Sequence, residues 1–151
     1  MSEPASLQTL ARLAVKDGVT LGGLPAAELP LALALAHGAL PPGAALTERE
    51  LNVALQAALA GPACWLATDH VELRRWLVDA GWLTRDGFGR EYRVLPHAAL
   101  RAELQPLART LATVEIASWV AAERRRHQDE RAARQARWQA SQRSAQADRD
   151  E

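Results

Sequence analysis

Five arginines fall close together in this chain: Arg74, Arg75, Arg85, Arg90 and Arg93. A guanidinium is planar and permanently charged, and it grips a guanine edge or a phosphate through two parallel hydrogen bonds. The chemistry open to this stretch is therefore recognition of anions or base edges. Asp69, Glu72, Asp79, Asp86 and Glu91 lie in the same stretch, so the local field is close to neutral. A duplex binder draws on several uncompensated phosphate contacts. The competing reading is that Arg74 and Arg75 pair with nearby acids or with helix-end carbonyls.

Bond-breaking chemistry finds little to work with. Ser2, Ser6, Ser118, Ser141 and Ser144 sit at the chain ends or on the C-terminal tail. Cys64 is the only cysteine, which excludes an internal disulfide and a multi-cysteine zinc site. It reads as a buried structural thiol. His37, His70, His97 and His127 show no ligand spacing. Asp69-His70 beside Glu72 looks like an acid–base pair, but a capping role explains Asp69. No glycine-rich phosphate loop follows a strand. The sequence is read as non-enzymatic, with no catalytic residue, no metal ligand set and no cofactor.

The elements that position the arginines are well signalled. Asp69 is an N-cap, with Glu72 placed to complete a capping box. Leu73, Trp76, Leu77 and Ala80 recur at helical spacing, and Gly81 follows where a left-handed residue ends a helix. Val71, Arg75 and Val78 fall on the opposite face. Two strand-like runs, 82–85 and 90–94, flank Asp86-Gly87-Phe88-Gly89 as a hairpin turn. A capped helix running into a hairpin is the second half of a winged helix-turn-helix.

Upstream, Ala5–Lys16 reads as an amphipathic helix, and Val19–Leu24 as a turn or short extended piece. Pro25–His37 reads as a helix apolar on more than one face, hence the buried centre. Gly38–Ala44 is a loop. Thr47–Ala60 is a helix with Thr47 and Glu50 as a capping box and Leu51, Leu55, Ala58 and Leu59 inward. Asn52 is expected to bond a neighbouring loop. Trp65 and Leu66 are expected to plug the core.

Downstream of Val94, Leu100, Leu104, Leu107, Leu111 and Val114 form a seam spaced four, three, four, three. Pro106 implies a kink, a break or a helix start there. Ile116, Trp119 and Val120 extend that surface. Beyond Ala122 the chain is rich in Arg, Ala, Glu and Gln, good helix formers, and should run as a protruding helix that frays near Ser141. The leucine seam is suited to pairing two subunits in a coiled coil.

The chain carries seventeen arginines and one lysine, Lys16, yet its formal net charge is zero. Bulk charge therefore recruits neither nucleic acid nor an anionic membrane. The run Leu29–Leu40 is too short to span a bilayer and contains Pro30 and His37. The N-terminal MSEPASLQ has no basic secretory region. A cytoplasmic protein with no membrane partner is expected.

From about Leu7 to Val94 the chain resembles a bacterial family known as domain of unknown function 2087. The resemblance rests on Thr47-Glu48-Arg49-Glu50-Leu51-Asn52, Asp69-His70, Leu73-Arg74-Arg75, Leu77-Val78-Asp79-Ala80-Gly81, Leu83, Arg85 and Tyr92. It implies a winged-helix-like fold, sometimes found beside transcription-regulator domains, and no catalytic residues. Gly61–Thr68 and Trp76 depart from the family pattern.

The expected architecture is mainly helical with a small hairpin: a winged-helix-like domain over 5–95 and a C-terminal helical extension over 96–151. Two functions fit. One is a small bacterial regulator that binds double-stranded DNA through Arg74, Arg75, Arg85, Arg90 and Arg93 and forms a homodimer through its C-terminal helix. The other is a non-enzymatic interaction module using Val71, Arg75, Val78 and Trp119.

Overall fold

A computed structural model describes residues 3–88 and 90–151; Gly89, the last residue of the expected hairpin turn, lies outside the described residues. The chain runs α1 (Ala5–Ala14), α2 (Leu29–Gly38), β1 (Ala45–Thr47), α3 (Glu48–Ala60) and α4 (His70–Asp79), then β2 (Leu83–Arg85), β3 (Glu91–Val94), α5 (Gln105–Leu111) and α6 (Ile116–Asp150). The mainly helical reading with a long C-terminal helix is correct. So is the hairpin: β2 and β3 are antiparallel, with Leu83 opposite Val94 and Arg85 opposite Tyr92.

The hairpin has a third strand that the sequence reading missed. β1 pairs antiparallel with β3, giving the order β1-β3-β2. β1 is three residues long, and its last residue, Thr47, is also the N-cap of α3. So short a segment becomes a strand only because β3, far away in sequence, offers it a ladder.

α2 is the centre of the core. Leu31 through Ala36 are all buried, as its all-round apolar sequence requires. It begins at Leu29 rather than Pro25, because Pro30 fits the first turn of a helix, where an N–H has no partner anyway. α2 packs on α4 and α5, α3 on α4, and α1 on α5 and α6. The α3–α4 connection is longer than a tight turn and is tied down at both ends. Val19 donates to Trp65 O at 3.0 Å, and Ala67 donates back to Val19 O at 2.7 Å. Trp65 and Leu66 are buried there, as expected. Cys64 is exposed, contrary to the buried thiol expected, because it lies on the outer side of the same turn.

Beyond Val94 the leucine seam proves to be core rather than a free stripe. Leu100, Leu104 and Leu111 are buried, and Leu107 and Val114 pack against them. The seam is not one helix: Leu100 ends a 3-10 turn at His97–Ala99, Leu104 precedes α5, Leu107 and Leu111 lie within α5, and Val114 sits between α5 and α6. Pro106 opens α5, one of the alternatives weighed. Glu115 caps α6 by accepting from Ser118 N at 2.6 Å. The seam is thus spent inside the molecule and cannot pair two subunits. Arg124 fastens α6 to the body: it donates to Ala14 O at 2.8 Å, Lys16 O at 2.9 Å and Asp17 Oδ1 at 2.8 Å. From there α6 continues through Ser141 to Asp150.

His37 ties α2 to the stem of the hairpin. Its Nε2 bonds Leu95 O at 2.8 Å, and its ring lies 4.9 Å from that of buried Trp82. Burial holds the imidazole below its ordinary pKa of 6.5, while the Leu95 bond pulls the other way. The folded state therefore favours neutral His37, and the unfolded chain takes up the proton first as pH falls. Stability from this residue should be fully present above about pH 6.5 and lost as pH falls through the lower folded value. Denaturant midpoints measured from pH 8 to 5 should fall for the wild type, and the fall should be smaller in His37→Gln. Glu50 and Glu115, whose capping bonds lower their pKa, act in a separate window below 4.5.

Gly81 takes φ +89°. Ala there would force a left-handed conformation costing about 1–2 kcal/mol, and its Cβ would meet the Arg101 guanidinium at 3.2 Å. Gly81→Ala should lower the unfolding free energy by about that amount in chemical denaturation. An unchanged midpoint would show that the turn does not need glycine.

Candidate functional site

Asp69 caps α4 by accepting from Glu72 N at 2.8 Å, but Glu72 returns no bond, so only half of the expected capping box forms. The complete box is at α3, where Thr47 and Glu50 exchange bonds at 3.0 and 3.1 Å. Leu73 and Leu77 bury one face of α4, with Trp76 and Ala80 partly buried beside them. Val78 also packs against the core, so it does not stand opposite it as the helical wheel suggested. The sheet curls over that flank of α4 and covers it. Val71 remains 41% exposed.

The five arginines separate into different roles. Arg74 is built into the fold. Its Nη1 lies 3.1 Å from Glu48 Oε1 and 2.8 Å from Asn52 Oδ1, and its guanidinium stands 5.5 Å over the Tyr92 ring. Only 17% of its side chain is exposed. Asn52 therefore bonds Arg74 rather than a loop backbone. Glu48, Asn52, Arg74 and Tyr92 all belong to the motif stretches named above. Together they form one cluster joining the start of α3, the middle of α4 and β3.

Arg75, Arg85 and Arg93 make no ion pair among the described residues. Arg85 pairs with Tyr92 in the register of the hairpin, and its guanidinium stands 5.9 Å from the Tyr92 ring. Arg75 and Arg85 line a groove of about 200 Å³ between α4 and the sheet, with Val71, Val78, Asp79, Tyr92 and the paired Arg74 as the rest of its lining. Arg93 pairs with Thr84 and with Ala45, one step out of phase with Tyr92, so it lies on the other face of the sheet. Arg90 stands 5.5 Å over the ring of Phe88 at the tip of the hairpin, where Asp86 Oδ1 accepts from the backbone of both residues. Phe88 is 82% exposed, a feature that sequence reasoning passed over as part of a turn. An aromatic between two glycines was the available signal.

Trp119 is half-buried against the core on α6 and lies outside this groove. Asp69 and His70 form no acid–base pair: Asp69 is the cap, and His70 Nδ1 lies 3.4 Å from Gln56 Nε2. What the groove offers is two unpaired guanidiniums, a short apolar strip and one carboxylate. That set suits reversible binding of an anionic, edge-bearing surface.

No helix among the described residues is long and apolar enough to cross a membrane. Residues 27–94 match the model of a family described as an uncharacterized protein conserved in bacteria, the domain of unknown function 2087. The match starts well after Leu7, so α1 and everything beyond Val94 lie outside it. No curated protein and no solved structure matches the chain.

The Arg74 cluster and the free Arg75 give opposite expectations for adjacent residues. Arg74→Ala leaves the Asn52 carbonyl and Glu48 without their partner and should destabilise by about 1.5–3 kcal/mol. Arg75→Ala should stay within about 0.5 kcal/mol of wild type. Urea denaturation of the two variants side by side checks both.

Proposed function

We propose that this chain, whose residues 27–94 match that bacterial family, is a small, cytoplasmic, non-enzymatic regulator that binds double-stranded DNA. α4 is the helix presented to the major groove, and the β2–β3 hairpin is the wing along the backbone. The observation that carries this reading is the pair of unpaired guanidiniums, Arg75 and Arg85, facing one groove from helix and wing. Arg90 and the exposed Phe88 extend the contact at the wing tip, where arginine and an apolar wedge suit a minor groove. Arg74 supports the site by holding α4 to Glu48 and Asn52, and Arg93 reaches DNA only through the far face of the sheet.

Assembly falls to the distal part of α6. Residues 128–150 are exposed and extend about 35 Å from the body. A helix with no buried face has only intrinsic propensity to hold it, which supports a second copy as its partner. Two copies would present two α4 helices to one duplex, the symmetric arrangement that helix-turn-helix dimers use.

A second reading has its own support: Val71 and Phe88 are exposed apolar side chains, and Val71 lines the groove beside Arg75. In that case the groove takes a protein partner through Val71, Arg75 and Val78, with Trp119 secondary.

Fluorescence anisotropy on duplex fragments of mixed sequence separates the two. Binding should weaken with salt at a slope of about −0.9 per phosphate contact, hence about −2.7 for Arg75, Arg85 and Arg90 together. Arg75→Ala combined with Arg85→Ala should reduce the slope by about 1.8. No binding at 50 mM salt, or an unchanged slope in the double variant, favours the protein-contact reading. For assembly, the full chain should sediment as a dimer, and a chain ending after Gln128 as a folded monomer. A dimer that survives that truncation excludes distal α6 as the assembly element.

A further inference from the structure

A cavity of about 370 Å³ lies where α2 meets α5 and the start of α6. One wall comes from the end of α2 and the wing stem: Ala34, His37, Leu95 and Pro96. The other comes from α5 and the start of α6, including Ala112 and Ile116. It thus lies between the family domain and the segment that follows it. Its size falls within the range of small-molecule sites, which concentrate at such junctions and pair apolar walls with a few polar groups.

The polar groups decide what would fit. A carbonyl only accepts, so His37 Nε2 must carry the proton in its bond to Leu95 O. In the neutral ring the lone pair is then on Nδ1, which bonds no other residue among those described. His37 is on the cavity lining, and its Nδ1 is not among the fully buried, partnerless side-chain nitrogens and oxygens of the described residues, of which Trp82 Nε1 is the one. Glu115, also on the lining, holds its carboxylate through Ser118 N and Oγ, both at 2.6 Å. A fixed carboxylate repels an anionic ligand. His97 is the remaining polar ring on the lining, and no arginine or lysine lines the cavity.

We infer that this cavity is a binding site for a small, non-anionic, largely apolar molecule that donates one O–H or N–H hydrogen bond to His37 Nδ1. The lowered basicity of His37 keeps that acceptor free at neutral pH. An occupant would touch Leu95 at the foot of β3 and Ile116 at the start of α6 together. It would act as an effector, biasing how the wing sits against the long helix. The inference is independent of whether the wing meets DNA or protein.

The probes are 4-propylphenol, propylbenzene and 4-propylbenzoate, titrated into the full chain and followed by the imidazole ¹⁵N resonances of His37 and the thermal midpoint. The phenol should saturate, shift His37 Nδ1 and raise the midpoint. Propylbenzene, which lacks the donor, should bind at least tenfold more weakly, and the benzoate should not bind. Ala112→Trp, at an exposed position on the rim, should abolish phenol binding while circular dichroism stays that of the wild type. Should that variant misfold, Ala108→Met narrows the cavity from α5 and must weaken the phenol likewise. Failure of the phenol to saturate, equal binding of phenol and propylbenzene, or indifference to both substitutions overturns the site.

Discussion

The structure depends on one turn, at Ala80–Gly81–Trp82. Gly81 N–H reaches Val78 O at 3.1 Å and Trp82 N–H reaches Leu77 O at 2.9 Å, the paired bonds of a Schellman ending. These bonds fix the angle at which the chain leaves α4. Trp82, wholly buried, locks it from inside. Leu95 N then donates to Trp82 O at 3.2 Å, so the far end of the hairpin is tied to the same residue. Everything said of the α4–wing groove rests on this geometry, because helix and wing have no freedom to move apart while it holds. The carbonyl of Ala80, the residue that caps α4, accepts from Arg101 Nη2 at 2.7 Å.

Arg101 is one of three arginines that work as fasteners. Arg74 joins α3, α4 and β3; Arg101 closes the end of α4; Arg124 closes the end of α1 and binds α6 to it. Each bonds oxygens from more than one place in the chain or closes a helix end, and the forked, permanently charged guanidinium does this better than an ammonium would. This gives a physical account of part of an arginine-rich composition in a chain of zero net charge. It also reduces the cations left for recognition. The stretch that looked like five equivalent arginines holds one fastener, two groove residues, one wing-tip residue and one on the far face of the sheet.

Local signals were legible because each resides in adjacent residues. Thr47 with Glu50, Asp69 before α4, Gly81 after it and the two strand-like runs flanking Asp86-Gly87 each specify their own conformation. The buried character of α2 was legible for the same reason, since it is apolar on every side. What the sequence hid was pairing across distance. β1 exists only through β3; Val78 is covered only because the sheet folds over it; Cys64 is exposed only because of which side of its turn faces Val19 and Trp65. The leucine seam was read with the right residues and the wrong partner. A four-three repeat reports that a face will be buried and says nothing of whether the burying surface belongs to another copy or to the same chain.

That last point changes how the two parts of the molecule relate. The core crosses residue 95 without a break, from Trp82 and Val94 to Leu100, Leu104, Leu111 and Ile116. Gly38 lets the start of α6 come close to α2, since a Cβ there would lie 2.3 Å from Ile116 Cδ1. The segment after the matched residues 27–94 therefore belongs to the same core as α2. Close-packed interiors transmit displacement instead of absorbing it. A shift of α6 at Ile116 must reach α2, and through the His37–Trp82 contact it must reach the turn that sets the wing. The long helix and the wing are thus two ends of one rigid path, and whatever holds one end constrains the other.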